Sequence, residues 1–301
     1  MNTISIALKD TYSIGRFEAM ACPCEILLEN SNNQPTDKQA IQEITEIAFQ
    51  EAKRIEQKFS RYKENNIIYQ INNSNGKTIS VDEETVLILN FADQCYELSE
   101  GKFDITSGIL RRTWKFDGSD KIPTPEKVAE LKSNIGWDKV KFNQTSINLP
   151  AGMEIDLGGI GKEYAVDSTV KRLTEYTEKS FLVNFGGDIA CPCPRENKTA
   201  WTIGVDDPEQ TGNNSVGKID LLQGGLATSG DARRYLLKDG VRYSHILDPR
   251  TGYPVTNAPR SVTVIANTCI EAGMLSTFAM LEGSNAVEFL KEQDVQFWVM
   301  P

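Results

Sequence analysis

The sequence is short of three things, and each shortage excludes something. It has a single histidine, His245. Histidine alone has an unperturbed pKa in the physiological range, so any imidazole proton transfer must run through that residue. Basic residues are outnumbered, 32 against 42 acidic, for a formal charge of −10. Phosphate-backbone binding wants a basic face, so nucleic acid is not the expected partner. No apolar run is long enough to span a bilayer. Met1 to Met20 carries Asp10, Arg16 and Glu18 where a signal core would be apolar, and no lipid-attachment cysteine. A cytoplasmic location is the simplest expectation. Repeats, low-complexity tracts and Gly/Ser/Pro linkers are missing too. The 301 residues are therefore expected to form a single domain, 1–301, with an N-terminal lobe to about 150 and a C-terminal lobe from about 151 sharing one cleft.

Six cysteines without a secretion signal read as thiols. Four form Cys22-Pro23-Cys24 and Cys191-Pro192-Cys193. These units can offer four thiolates to zinc if they meet, although the spacing is shorter than the usual Cys-x₂-Cys. Buried small residues are the alternative.

Periodicity gives an α+β class, with mixed, largely antiparallel sheets and flanking helices. Residues 17–29 read as one strand kinked at Pro23. Thr36 caps an amphipathic helix carrying Ile41, Ile44, Ile47, Ala48, Ala52 and Ile55 and ending near Phe59. Ser80-Val81-Asp82-Glu83 has a capping-box pattern opening a helix through Leu98. Pro125 and Glu126 start a short helix to about Ser133, and Lys139 to Leu149 reads as a hairpin. Met153–Leu157 is expected as a strand that Gly158-Gly159 turns into a helix to about Thr177. Strands are expected at 182–185, 201–205, 218–222, 225–228, 234–238, 243–247, 261–266 and 297–299, and helices at 270–282 and 284–292.

The chemistry-bearing residues cluster at strand ends, where loops tend to carry function. Asp156-Leu157-Gly158-Gly159-Ile160-Gly161-Lys162 runs from strand through glycine turn to helix. Free amides at a helix N-terminus attract anions, and glycines admit a diphosphate to the backbone. The spacing is neither Rossmann nor Walker, and a plain tight turn is the other reading. Asn184-Phe185-Gly186-Gly187-Asp188 and Thr228-Ser229-Gly230-Asp231 each put small residues and a carboxylate at a strand end. His245-Ile246-Leu247-Asp248-Pro249-Arg250-Thr251-Gly252 closes the set, and His245 there is either a proton carrier or a histidine packed beside a turn.

Together with Phe59-Ser60-Arg61-Tyr62, Asn72 and Gly101-Lys102-Phe103-Asp104-Ile105-Thr106, these segments resemble the FAD:protein FMN transferases, the ApbE family. The likeness runs from about Met20 to Gly283, and six motifs in the family's order are specific where any one is not. The resemblance implies a two-lobed, single ApbE-type domain. It also implies an enzyme that moves the FMN half of FAD onto a Ser or Thr of an acceptor protein through a phosphoester, releasing AMP. Met20, Tyr62, Lys102, Phe103, Asp104, Asp156, Lys162 and Leu247 match positions lining the FAD site. Mg²⁺ is the implied metal, with Gly159 (carbonyl) and Thr277 as ligands. His245 is the implied general base, and Asp248 or Asp231 would orient it or take the proton instead.

The chain departs from the family at one ligand. The expected aspartate falls at Gly273, which has no side chain, and Glu271 lies on a different helical face from Thr277. A water, the substrate diphosphate, or binding without turnover are the open consequences. FAD pyrophosphatase and a non-catalytic FAD-binding protein are therefore the alternative functions.

Overall fold

The first strands of the chain form a meander. Strand β1 (Ser5–Leu8) pairs with β2 (Tyr12–Ala19), and β2 with β3 (Cys22–Glu29). The β2–β3 turn is Met20-Ala21, with φ of 53° and 58°. Two successive left-handed residues are what a two-residue hairpin turn requires. The single kinked strand expected over 17–29 is therefore a hairpin. Neither turn residue is the glycine or asparagine that usually announces one, which hid it from the sequence. These coordinates belong to a computed structural model, which describes residues 4–30, 38–206, 215–231 and 234–301.

The meander continues through β4 (Phe181–Phe185), β5 (Asp188–Cys191), β6 (Gly224–Gly230), β7 (Ser261–Ala266) and β8 (Gln296–Met300). All eight strands are hydrogen-bonded in chain order and every neighbour is antiparallel. Strand β3 pairs with β4 across a long insertion. One sheet thus draws strands from both sides of residue 150.

Alternate side chains of each strand go to opposite faces. Val183, Phe185 and Ile26 join one core, while Leu182, Ile189 and Leu226 join another beneath the hairpin Trp201–Asp206 and Ser215–Leu221. The four longest helices are α1 (Lys38–Phe59), α2 (Glu83–Leu98), α3 (Gly161–Thr174) and α4 (Cys269–Leu281). Helix α1 packs on β2, α3 on β4 and β5, and α4 on β6 and β7. Gly15 permits the first approach, since a Cβ there would overlap the Thr45 side chain.

Other local expectations change at their edges. Helix α2 is capped by Asp82, which accepts from the Thr85 amide at 3.0 Å, and Ser80 ends a short strand. Met153–Leu157 is extended but unpaired as a strand. Asn72 takes its place in the ladder, donating to the Ile155 carbonyl and accepting from its amide at 3.0 and 2.7 Å. Helix α3 stops at Thr174. The 243–247 strand is broken into Val241–Ser244 and Leu247–Asp248, so His245 sits in the gap. Thr36 lies outside the described residues. The six cysteines are free thiols. Among the described residues no three His, Cys, Asp or Glu side chains cluster as a metal site, which removes the four-thiolate zinc reading. Also among them, no helix is long and apolar enough to cross a membrane.

Candidate active site

The glycine turn before α3 sets the centre. Gly159 lies on the Phe103 ring, where a Cβ would come within 3.1 Å. Phe103 in turn packs at 6.0 Å from Phe278 of α4. From the first turn of α3, Lys162 reaches Asp188 at the β4–β5 turn, Nζ to Oδ2 2.7 Å. That turn is Gly186-Gly187, with φ of 63° and 100°, values that favour glycine. Burial opposes the charge on Lys162, but the Asp188 carboxylate outweighs it and holds the ammonium pKa above its usual value. Asp188 also accepts from the Thr228 backbone. One residue on, the Ser229 hydroxyl lies 3.0 Å from the Thr277 hydroxyl and 2.9 Å from that of Ser276. Three glycine-rich segments far apart in sequence thus meet at α3, α4 and the ends of β4 and β6.

Gly273 of α4 is buried, and the room its side chain would need is occupied. A Cβ there would lie 2.6 Å from Glu163 Cγ. Glu163 Oε2 is shielded from solvent without a hydrogen-bond partner. Burial first, then Asp188, push the Glu163 carboxyl up to about 8. A buried polar atom left unpaired costs about 1–3 kcal/mol, so Glu163 is held there against a penalty. Glu271 is also shielded at Oε2, but its charge is felt by Asp167, whose carboxylate accepts the first amides of α4, from Cys269 and Ile270.

A second group of residues surrounds Asp156. Its Oδ1 accepts from the Gly158 amide at 2.9 Å, and its Oδ2 lies 3.3 Å from Arg61 and 3.5 Å from Arg111. Arg61 also binds Glu154 at 3.0 Å, and Arg111 donates to the Tyr62 hydroxyl at 2.6 Å. Tyr62 itself is 75 % exposed, with the Arg61 guanidinium 5.8 Å from its ring centroid. Arg61, Arg111 and Glu154 were not singled out from sequence. Arg61 stands within a quoted motif, whereas nothing in the local pattern around Arg111 distinguishes it.

His245 is half-buried near Arg111. Its Nδ1 is 3.2 Å from the Arg234 carbonyl, and its ring stands edge-on to Phe116 at 6.3 Å. Burial first, then the positive charge of Arg234, lower its pKa to about 4. The two carboxylates expected to serve it have other partners. Asp231 accepts from Arg242 at 3.0 Å and Arg260 at 2.8 Å. Its charge still favours imidazolium, but as a minor effect. Asp248 is chelated by Arg250, at 3.0 and 2.8 Å, and that partner holds its carboxyl below the usual range in spite of burial. A backbone carbonyl, not a carboxylate, therefore orients the imidazole.

The remaining expected residues are placed as follows. Asp104 caps a turn of 3₁₀ helix: Oδ1 accepts from the Thr106 amide and hydroxyl, Oδ2 from the Trp137 amide at 3.0 Å. Burial raises its pKa despite those bonds. Lys102 pairs with Glu282. Leu247 pairs with Pro254 in a two-residue ribbon, and Met20 sits in the β2–β3 turn. A cleft of about 400 Å³ opens beside Asp248, Tyr253 and Glu282, and one of about 260 Å³ beside Asp104, Gly136 and Arg250. The Asp248-Pro249-Arg250 turn borders both. Neither is lined by Lys162 or His245.

Comparison with known proteins places these features in one family. The ApbE family model matches residues 20–299. The FAD:protein FMN transferase of Haemophilus influenzae is 28% identical over 285 residues, spanning 91% of this chain and 81% of that protein. The Vibrio cholerae protein of the same name is 29% identical over 76% of this chain and 70% of its own length. The crystal structure of the Thermotoga maritima ApbE protein superposes with a TM-score of 0.84 at 32% identity, covering 96% of this chain and 94% of the other. The flavin transferase ApbE of Vibrio cholerae gives 0.80 at 25% identity, with 99% and 94% coverage.

Proposed function

Since the chain belongs to the ApbE family, we propose that it transfers FMN from FAD to a Ser or Thr hydroxyl of an acceptor protein. The acceptor oxygen attacks the FMN phosphorus. A phosphoester bond forms, the bond from that phosphorus to the bridging oxygen breaks, and AMP leaves with the bridging oxygen. The hydroxyl proton must go to a base.

One observation carries the assignment of that base. A carbonyl oxygen only accepts, so the His245 nitrogen facing Arg234 must bear the hydrogen. The Nε2 lone pair is then free. With its pKa lowered to about 4, the imidazole is neutral at physiological pH and ready to accept. Such a base is typically worth about 10²–10⁴-fold. Asp231 and Asp248 act at one remove, bracing the loops on either side of it through their arginines.

Lys162, the Gly159 amide and the N-terminus of α3 supply the electropositive side for a diphosphate. The exposed Tyr62 ring offers a surface for flavin or adenine, Phe103 is buried and supports the glycine turn from beneath, and Met20 and Leu247 are the further apolar candidates. Asp156 keeps lone-pair capacity for ribityl or ribose hydroxyls, whereas Asp104 contributes mainly by holding the Lys102–Thr106 loop. Lys102 adds a cation near the cleft at Glu282.

The implied donors are hard oxygens, the Gly159 carbonyl and the Thr277 hydroxyl, and the buried, unpartnered carboxylate oxygen of Glu163 belongs to a side chain packed on Gly273, one helical turn before Thr277. That chemistry suits Mg²⁺, and Gly273 contributes no side chain to it. Bound Mg²⁺ supplies neutralisation of negative charge on the diphosphate oxygens. Six free thiols fit a reducing compartment, and we place the reaction in the cytoplasm, with the two-lobed chain acting as one domain.

Purified protein mixed with FAD, Mg²⁺ and a candidate acceptor domain should give flavin fluorescence that survives denaturing electrophoresis on the acceptor. No covalent flavin, where a known family member succeeds, rejects the proposal. AMP release at an equal rate without acceptor assigns FAD hydrolysis instead.

A further inference from the structure

Gly273 and Glu163 face each other across the contact between α4 and α3. A side chain at 273 and the present Glu163 side chain exclude each other: the Cβ would lie 2.6 Å from Glu163 Cγ, 3.0 Å from Oε1 and 3.1 Å from Cδ. Thr277 is four residues beyond Gly273, hence on the same helical face one turn along. Glu163 is four residues beyond Gly159, in the first turn of α3. Its carboxylate thus lies against the space that position 273 leaves open, with Gly159 four residues before it in the chain and Thr277 one turn beyond Gly273 on α4.

Its charged neighbours are compensated to differing degrees: Asp188 Oδ2 makes an ion pair without a hydrogen bond of good geometry, and Glu271 Oε2 is buried without a partner. Asp188 is taken by Lys162 at 2.7 Å, and Asp167 by the α4 amides. Glu163 Oε2 has no partner and is closed off from solvent. Native proteins rarely leave a buried carboxylate oxygen unpaired, and an ion is one of the few things that explains it. Glu271 is the competing carboxylate, with an Oε2 equally buried and unpartnered, but it lies two residues from Gly273 and so on another face of α4.

We propose that Glu163 supplies to a divalent cation the carboxylate that position 273 does not, the ligand having moved from one helix to the other. The proposal rests on the transferase reading for the cation's presence, and names a ligand that reading leaves missing. It also makes Gly273 a requirement of the site: the glycine gives Glu163 its room.

Mn²⁺, which is paramagnetic, serves as the probe. It is titrated by electron paramagnetic resonance into the full-length protein, with and without FAD and with no acceptor. Glu163→Gln should weaken Mn²⁺ binding tenfold or more with little change in melting temperature, since the amide matches in shape a carboxyl that burial already keeps largely protonated without metal. Gly273→Asp alone should lower the melting temperature, because its side chain meets Glu163. The exchange of both, Glu163→Gly with Gly273→Asp, should recover Mn²⁺ affinity to within a few-fold of the parent. Parental affinity in Glu163→Gln overturns the proposal, as does a parent protein that binds no Mn²⁺ in either condition. Glu163-dependent Mn²⁺ binding without FMN transfer would support this ligand and reject the transferase reading. Transfer with Glu163-independent binding would do the reverse.

Discussion

The Nδ1–H of His245 donates to the backbone carbonyl of Arg234 at 3.2 Å, which fixes the tautomer and leaves Nε2 unprotonated. The broken strand places the imidazole where a carboxylate partner is replaced by a main-chain one. A neutral partner does not stabilise imidazolium as a carboxylate would, and burial beside Arg234 lowers the pKa further.

His245→Gln should therefore reduce FMN transfer by about 10²–10⁴-fold, the usual worth of a positioned base. FAD affinity should change by only a few-fold, because the diphosphate contacts lie on other elements. Covalent flavin on the acceptor and FAD fluorescence quenching separate the two effects. Loss of FAD binding in step with loss of transfer would rule out a specific role as base.

A lone histidine makes its titration directly visible, since the imidazole Cε1–H resonance is unique. The midpoint should fall near pH 4, against an ordinary value of 6.5. Arg111→Gln removes a positive charge that disfavours imidazolium and should move the midpoint upward. A parent midpoint at 6.5 would contradict the buried, cation-flanked setting.

Stability should follow the same shift. The folded pKa is below the unfolded one, so protons bind the unfolded chain preferentially between the two. The His245 contribution is complete above about pH 6.5, is lost progressively as pH falls toward 4, and changes no further below that. Urea midpoints of the parent should fall across this window more steeply than those of His245→Gln. Parallel curves would show that the histidine does not titrate differently on folding.

The Lys162–Asp188 pair should behave as a buried ion pair on one side and an accessible one on the other, with side-chain exposures of 4% for Asp188 and 33% for Lys162. Breaking a buried pair at one end typically costs 3–5 kcal/mol, so Lys162→Met, which strands the Asp188 charge, should cost roughly 2–3 kcal/mol after allowance for the exposed lysine. Adding Asp188→Asn should recover part of that. A double variant as unstable as the sum of the singles would mean the two do not interact.

Gly225 tests the packing of α4 on β6. A Cβ there would overlap the backbone of Thr268 and Cys269, which cannot swing aside as a side chain can. Gly225→Ala should cost about 1–3 kcal/mol or more by overpacking, read as a lower denaturation midpoint. Gly217→Ala, with nothing within 4 Å of the added atom, should be close to neutral.

Much of the architecture was legible because it depends on local pattern. Of the apolar stripe in α1, Ile41, Ile44, Ala48, Ala52 and Ile55 are buried and Ile47 is half-buried, and 261–266 is a strand to the residue. What escaped was structure that a long-range bond replaces or a turn conceals. Met20-Ala21 folds back without turn-forming residues. Met153–Leu157 has strand composition, but Asn72 holds its backbone in place of a neighbouring strand.

The site divides the same way. Sequence by itself determined which chemical groups exist and in what order: one imidazole, three glycine turns each containing or bordered by a carboxylate, a lysine at the start of a helix, and a glycine at position 273. Those are properties of residue type and spacing, which fix local backbone conformation and little else. Tertiary structure alone decided the partners. It gave His245 a carbonyl, gave Asp231 two arginines and Asp248 one, and set Glu163 against Gly273. Such pairings depend on how turns, helices and strand ends pack, from Asp248 and Arg250 two residues apart to Glu163 and Gly273 on separate helices, and residue type alone does not choose among the partners within reach.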